Sequence, residues 1–277
     1  MMMDKVKCVI CEGTTEIKLH VDIHDWQKQP LFQCRACSFY FFHQPDWLPQ
    51  SFSAELNELD LGSVARCSFV ADFMAAIFSS DRENTRVLDW GGGDGLLTRL
   101  LRERGFDCVW YDPFVQPRFV GDAIYEGDSP VGVTVASEVF LHLTDPLRAL
   151  RSLLAISDIV VVTAVVPPKQ VNPNWWYLMP ETGQHVSFFP ITALKELANR
   201  TDTCLYSDRR FFHVFADRRL SIWKRMLIRV RPLAFSIAFA QQGWRLMRTS
   251  LGRSDSLTLA DQERLIERRR RGQTKSG

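Results

Sequence analysis

One segment constrains this chain more than any other: Val87-Leu88-Asp89-Trp90-Gly91-Gly92-Gly93-Asp94-Gly95-Leu96-Leu97. Arg86 to Trp90 reads as a β-strand and Leu96 to Arg104 as an amphipathic helix, with glycines on alternate positions of the turn between them. Glycine there permits positive φ and lets the backbone approach a ligand closely, while the helix start presents unpaired N–H groups. An isolated glycine turn would say little, because tight turns also use glycine. Its setting between a strand and a helix is what makes this one informative.

The same alternation continues downstream. Strands are expected over Asp107 to Tyr111, Phe119 to Asp122, Gly132 to Ala136 and Asp158 to Val166, with helices over Leu147 to Leu154 and Ile191 to Asn199. Such alternation is the mark of a parallel sheet with crossover helices. Two last strands, Thr203 to Ser207 and Phe211 to Phe215, are separated only by Asp208, Arg209 and Arg210, so they must be antiparallel. Apolar residues at helical spacing from Val64 to Ile77 predict helices over 51–80, leading into this zone. At 277 residues the chain has room for one α/β domain plus a smaller module. The expected division is 1–50, 51–216 and a basic helical extension over 217–277 whose tail, after Arg271, is expected to be disordered.

Two acids sharpen the reading. Asp89 closes the first strand and Asp112 closes the second, in Val109-Trp110-Tyr111-Asp112-Pro113. A strand-end acid at the second position can accept hydrogen bonds from ribose hydroxyls. The glycine spacing does not fit the nicotinamide fingerprint, since residue 96 is Leu. The pattern resembles motif I of class I S-adenosylmethionine methyltransferases, acid-x-Gly-x-Gly-x-Gly. That resemblance implies a Rossmann-like α/β fold with a seven-stranded sheet. It also implies that Gly91, Gly93 and Gly95 line the methionine end and ribose of S-adenosylmethionine, that Asp112 holds the ribose and that Asp122 sits near the adenine amine. Asp89 and Ser137 complete the implied cofactor-binding set. For Asp122, a turn aspartate beside Gly121 is the competing reading.

Near the N-terminus stand two CxxC pairs, Cys8-Val9-Ile10-Cys11 and Cys34-Arg35-Ala36-Cys37. Four thiolates at such spacing match a closed, tetrahedral zinc site in a zinc-ribbon-like module. With all four positions filled by protein, such a metal is structural, because no place is open for water. Redox use of a CxxC is the alternative. His20, His24 and His43 are surplus histidines that could substitute as ligands.

Methyl transfer is an in-line displacement, so an acceptor must be aligned and a hydroxyl acceptor must lose its proton. A histidine, with an intrinsic pKa of about 6.5, suits that task. His142 follows the fourth strand in Ser137-Glu138-Val139-Phe140-Leu141-His142, and His185 lies in the long aromatic connection after the fifth. Ligands in open α/β sheets bind at that carboxyl edge. For each, packing or capping is the competing role.

The cysteine module, the motif I loop, His142 and the His185 loop together resemble the zinc-containing sugar C-methyltransferases of glycan and antibiotic gene clusters, over roughly Cys8 to Phe215. That family carries Tyr-x-Glu-His in the later loop, with the histidine as base. Here Thr182 stands for the Tyr and Gln184 for the Glu, and His185 matches, with Glu181 a displaced substitute. The family also has a further C-terminal α/β domain, whereas a basic helical extension is expected here over 217–277. These departures favour a sugar or glycan hydroxyl over carbon as the implied acceptor, with His185 as base and His142 orienting the acceptor.

From Leu205 onward there are 17 Lys/Arg against 6 Asp/Glu, although the whole chain carries only +2. Such a patch suits nucleic acid, an anionic membrane surface or a phosphorylated substrate, and a solvated face is the plain alternative. RNA methylation and a catalytically silent binding protein are therefore the rival functions. No apolar run of spanning length occurs. Met1 to Lys7 lacks the apolar core of a secretory signal, so the expected location is cytoplasmic. Acceptor identity and oligomeric state stay open.

Overall fold

The computed structural model describes residues 6–23, 26–52, 62–78, 80, 85–127, 129–250, 257, 260–264 and 267, the side chains of 231, 242 and 245–250 excepted. His24, residues 53–61 and the tail after Arg271 lie outside the described residues. In chain order the elements are β1 (Thr15–Asp22), β2 (Lys28–Cys34), β3 (Tyr40–Phe42), α1 (Ser63–Phe78), β4 (Arg86–Trp90), α2 (Leu96–Glu103), β5 (Asp107–Tyr111) and β6 (Val131–Ser137). There follow α3 (Pro146–Leu154), β7 (Ser157–Thr163), β8 (Ser187–Phe188), α4 (Ile191–Arg200), β9 (Cys204–Ser207), β10 (Phe212–Ala216), α5 (Ile222–Arg229) and α6 (Arg231–Ser250).

Among the described residues the larger sheet has six strands, in the order β5-β4-β6-β7-β10-β9. β4 pairs in parallel with β5 and β6, whereas β10 is antiparallel to both β7 and β9, the latter as the short four-residue connection over 208–211 requires. The expected seventh strand over Phe119-Val120-Gly121-Asp122 does not form. Its backbone is drawn off instead, with Arg118 N and Phe119 N both donating to the Asp94 carbonyl at 2.8 and 3.1 Å and Gly121 at φ 63°. A single parallel bridge, Trp110 to Ile124, is what pairs there with β5.

The chain packs as two compact units, Met1–Leu61 with Glu138–Leu220, and Gly62–Ser137 with Ser221–Gly277. In the first unit the cysteine module does not end at its own strands: the antiparallel sheet runs β1-β2-β3-β8, with Tyr40 opposite Phe188 and Phe41 opposite Ser187. Thr192 Oγ1 on α4 donates to the Cys37 carbonyl at 2.8 Å, and Phe39 packs on Phe189 with ring centroids 5.2 Å apart.

In the second unit the helix ends are tied to the strands. Asp89 on β4 accepts from Thr98 N and Thr98 Oγ1 at 3.0 and 2.8 Å, so a strand residue satisfies a first-turn N–H of α2 that the helix itself cannot. Asp261, buried, accepts from Arg102 Nε and Nη2 at 2.8 and 2.6 Å and from Arg99, which fastens the 260–264 helical turn to α2. A buried guanidinium is stable there because a carboxylate meets its fork two-pronged.

Candidate active site

The glycine turn of the second unit is shaped by its neighbours. Gly91 N donates to the Tyr111 carbonyl at 2.8 Å, and Trp110 Nε1 donates to the Gly93 carbonyl at 2.9 Å, so the loop rests on β5. Gly95 starts α2 at φ 89°, and a Cβ there would overlap the Val120 side chain. Gly93, at φ 53°, is different: a Cβ would meet nothing within 4 Å. Its carbonyl and N–H are both engaged, but its Cα side is open to an approaching molecule.

Asp112 stands at the end of β5, half-buried. Its Oδ2 accepts from Gly93 N at 3.0 Å and its Oδ1 from Phe114 N and Val115 N at 2.8 and 3.1 Å. The carboxylate is thus fixed beside the glycine turn by three backbone donors. Burial pushes the Asp89 carboxyl up to about 7, against the two Thr98 hydrogen bonds that lower it. Asp122 lies in the loop that replaced the seventh strand, within 3.9 Å of Arg264 Nε. Ser137 ends β6, the strand that pairs with β4.

In the first unit the chain leaving β6 makes a strained turn. Glu138 has φ 57°, a left-handed conformation that a non-glycine residue holds only when its surroundings enforce it. Here Glu138 N donates to Thr163 Oγ1 at 2.9 Å, and the same hydroxyl donates back to Glu138 Oε1 at 3.3 Å. A short 3-10 turn, Phe140–His142, follows. Val186 N donates to the Leu141 carbonyl at 2.8 Å and Ser187 Oγ to the Leu143 carbonyl at 2.6 Å, which sets His142 beside His185. Their ring centroids are 5.5 Å apart.

His185 is buried, with Nδ1 2.7 Å from the Tyr177 carbonyl oxygen. A carbonyl can only accept, so Nδ1 carries a proton and Nε2 is the basic nitrogen of the neutral ring. The Tyr177 ring stands edge-on to His185 at 4.7 Å between centroids, and its hydroxyl donates to Glu138 Oε2 at 2.8 Å. Phe52 packs edge-on against His142 at 5.3 Å. Glu181 lies exposed in the preceding turn, while Gln184 Nε2 donates to the Ser51 carbonyl at 2.7 Å. The carboxylate joined to His185 through Tyr177 is Glu138, which directly follows β6.

Glu138 and Tyr177 were not singled out from the sequence. Glu138 sits in the quoted Ser137-Glu138-Val139 run, but a strand-end acid shows neither its φ nor its partner. Tyr177 sits in a run of aromatics, where a packing role is the default.

The four cysteines converge in the first unit. Their sulfurs lie within 4.8 Å of one another, with Cys8 to Cys37 at 3.6 Å and Cys11 to Cys34 at 3.4 Å. A tetrahedral zinc with Zn–S of about 2.3 Å spaces its sulfurs about 3.8 Å apart, so the cluster fits such an ion. The two knuckles are built alike: Glu12 N donates to the Cys8 carbonyl at 2.8 Å and Ser38 N to the Cys34 carbonyl at 3.0 Å, and Glu12 and Ser38 have φ 61° and 63°. The Cys37 thiol hydrogen bond lowers Cys8 to about 5, while Cys37 is raised by the same contact and by burial. Four thiolates cannot share this space without a cation to neutralise them. His20 and His43 are not part of the cluster.

The family described as "Methyltransferase domain" matches residues 65–203. No curated protein matches the chain at a significant level. Among solved structures, CalO1, a methyltransferase in calicheamicin biosynthesis in its SAH-bound form, is 17% identical with a TM-score of 0.44, over 62% of this chain and 60% of that one. The mitomycin 7-O-methyltransferase MmcR is 12% identical with a TM-score of 0.43, over 61% and 60%. Magnesium protoporphyrin IX methyltransferase from Synechocystis, with bound SAH, is 12% identical with a TM-score of 0.40, over 61% of this chain and 91% of that one. The chain thus spans about 60% of the length of the first two.

Proposed function

We propose, from the premise that this chain belongs to the methyltransferase-domain family, that it transfers the methyl group of S-adenosylmethionine to a hydroxyl of a small acceptor, a sugar or glycan, with His185 as base. The observation that carries this reading is the His185 Nδ1 to Tyr177 carbonyl bond of 2.7 Å, which makes Nε2 the nitrogen able to take a proton. When bound, S-adenosylmethionine supplies an electrophilic methyl on a positively charged sulfur.

Gly91, Gly93 and Gly95 would receive its methionine end and ribose, Asp112 the ribose hydroxyls and Asp122 the adenine amine, with Asp89 and Ser137 completing the cofactor-binding set. Gly93, with its open Cα side, suits close approach of a ligand. His185 would take the proton of the acceptor hydroxyl on Nε2, leaving its oxygen to receive the methyl group that bound S-adenosylmethionine would supply. His142 orients the acceptor, and Glu181, exposed in its turn, is a weaker candidate for contact with it.

Zinc in the Cys8, Cys11, Cys34 and Cys37 cluster would be structural, neutralising the thiolates and holding the module whose β3 pairs with β8, two residues past His185. A hydroxyl acceptor is favoured over carbon because the acid of the Tyr-x-Glu-His pattern is here Gln184, whose amide is spent on the Ser51 carbonyl.

Calorimetry with S-adenosylmethionine and turnover of His185→Ala on an accepted sugar test the reading in two steps. Binding that is lost in Asp112→Ala, and a kcat fall of about a hundredfold in His185→Ala, are expected. A chain that does not bind S-adenosylmethionine is a silent binding protein, and unchanged turnover in His185→Ala removes the base.

A further inference from the structure

In the second unit α5 and α6 carry apolar side chains on both of their faces. Inward, Leu227, Ile228, Ala234 and Ala238 are buried. Phe235 stacks on Phe69 of α1 with centroids 4.4 Å apart, and the Lys224 ammonium lies 5.1 Å from the Phe78 ring centre. That face has its partner. Outward, Ile222 is 76% exposed, Phe239 79%, Trp244 59% and Trp223 53%, with Met226 and Val230 also exposed. A helix that faces water on one side is expected to be polar there, and single exposed apolar residues are ordinary. Six large ones between Ile222 and Trp244 are not, and they call for an occupant.

Charge says which occupant. Residues 218–250 contain eight Lys/Arg and no Asp/Glu, and Arg225 and Arg229 share the exposed side of α5 with Ile222 and Met226. We propose that the outward faces of α5 and α6 dock on an anionic phospholipid surface, lying in its plane. The tryptophans suit the headgroup boundary, Ile222, Met226, Val230 and Phe239 enter the outer acyl region, and the arginines meet lipid phosphates. The helices do not span: among the described residues no helix is long and apolar enough to cross a membrane. A second copy of this chain fits poorly, because pairing the face with itself sets cations against cations. Nucleic acid would satisfy the arginines but leave the aliphatic side chains in water.

The test is flotation of the full chain with vesicles of phosphatidylcholine alone and of phosphatidylcholine mixed with phosphatidylglycerol. Recovery with the anionic vesicles only, weakening as salt is raised, is expected. Trp223→Ser, Phe239→Ser and Trp244→Ser combined should lower partition at least about tenfold. Arg225→Gln with Arg229→Gln should lower it by about fivefold per residue. Neither variant should alter S-adenosylmethionine binding by calorimetry, so the membrane reading and the methyltransferase reading fail separately. The proposal is overturned by absence of vesicle binding, by binding equal in the variants, by a dimer that the serine variant dissociates, or by an RNA oligonucleotide that displaces the chain from the vesicles.

Discussion

Tyr177 spans from Glu138 to His185: its hydroxyl donates to the Glu138 carboxylate at 2.8 Å, and its carbonyl accepts from His185 Nδ1 at 2.7 Å. The carboxylate is thereby tied to the histidine through the placement of one tyrosine. Glu138 itself is held in left-handed backbone by Thr163, which couples the end of β7 to the same assembly. Strain at such a point persists where the surrounding contacts over-determine it.

Tyr177→Phe and Glu138→Gln should each lower kcat about ten- to a hundredfold through a slackened His185, with KM for S-adenosylmethionine unchanged. The pH–rate profile is the deciding readout. A positioning role moves its acid limb, whereas a purely structural role lowers the melting temperature and leaves the limb in place.

The glycine turn separates folding from binding at two neighbouring positions. Gly95→Ala forces a side chain into Val120 at φ 89° and should destabilise by several kcal/mol, seen as a large loss in chemical denaturation. Gly93→Ala meets no neighbour within 4 Å and carries only the left-handed penalty of about 1 to 2 kcal/mol. Its fold should survive while calorimetry shows S-adenosylmethionine affinity down at least about tenfold. If Gly93→Ala binds normally, the open side of Gly93 does not face the cofactor.

The cysteine cluster links metal content to the His185 loop. Purified protein should contain one zinc by atomic absorption, and a strong chelator should lower its melting temperature markedly, since structural zinc supplies folding free energy. Cys34→Ser should lose the metal and also activity, because β3 pairs with β8 beside His185. Retained activity in a metal-free protein would separate the module from the site.

The features legible in the sequence were the local ones. Alternate glycines, Asp89 and Asp112 declare themselves within one βαβ stretch, and the short 208–210 connection dictates the antiparallel pairing of β9 and β10. The cysteine knuckles are readable from spacing alone. What was hidden depends on pairing between distant segments. Nothing in Tyr40-Phe41-Phe42 states that its partner is Ser187–Phe188, so the module looked self-contained. Phe119-Val120-Gly121-Asp122 reads as a strand, yet the Asp94 carbonyl captures its backbone donors. Glu138 was hidden twice, by its φ and by a partner that lies across the long loop.

Two buried titrating groups oppose each other. Asp89 is raised by burial from 3.8 to about 7, so between those values the folded chain binds more protons than the unfolded one and stability falls as pH rises, by about 4 kcal/mol. His213, buried on β10 with Nε2 3.0 Å from the Ala164 carbonyl and Nδ1 2.9 Å from Ser207 Oγ, is lowered by burial from 6.5 to about 4. Between about 4 and 6.5 the unfolded chain binds the extra proton, so stability rises with pH by about 3 kcal/mol. The wild-type profile should therefore be nearly flat across that window. Asp89→Asn should unmask a rise with pH and His213→Gln a fall, measured as denaturant midpoints at stepped pH. Equal slopes in both variants would mean that neither group is titrating where its burial places it.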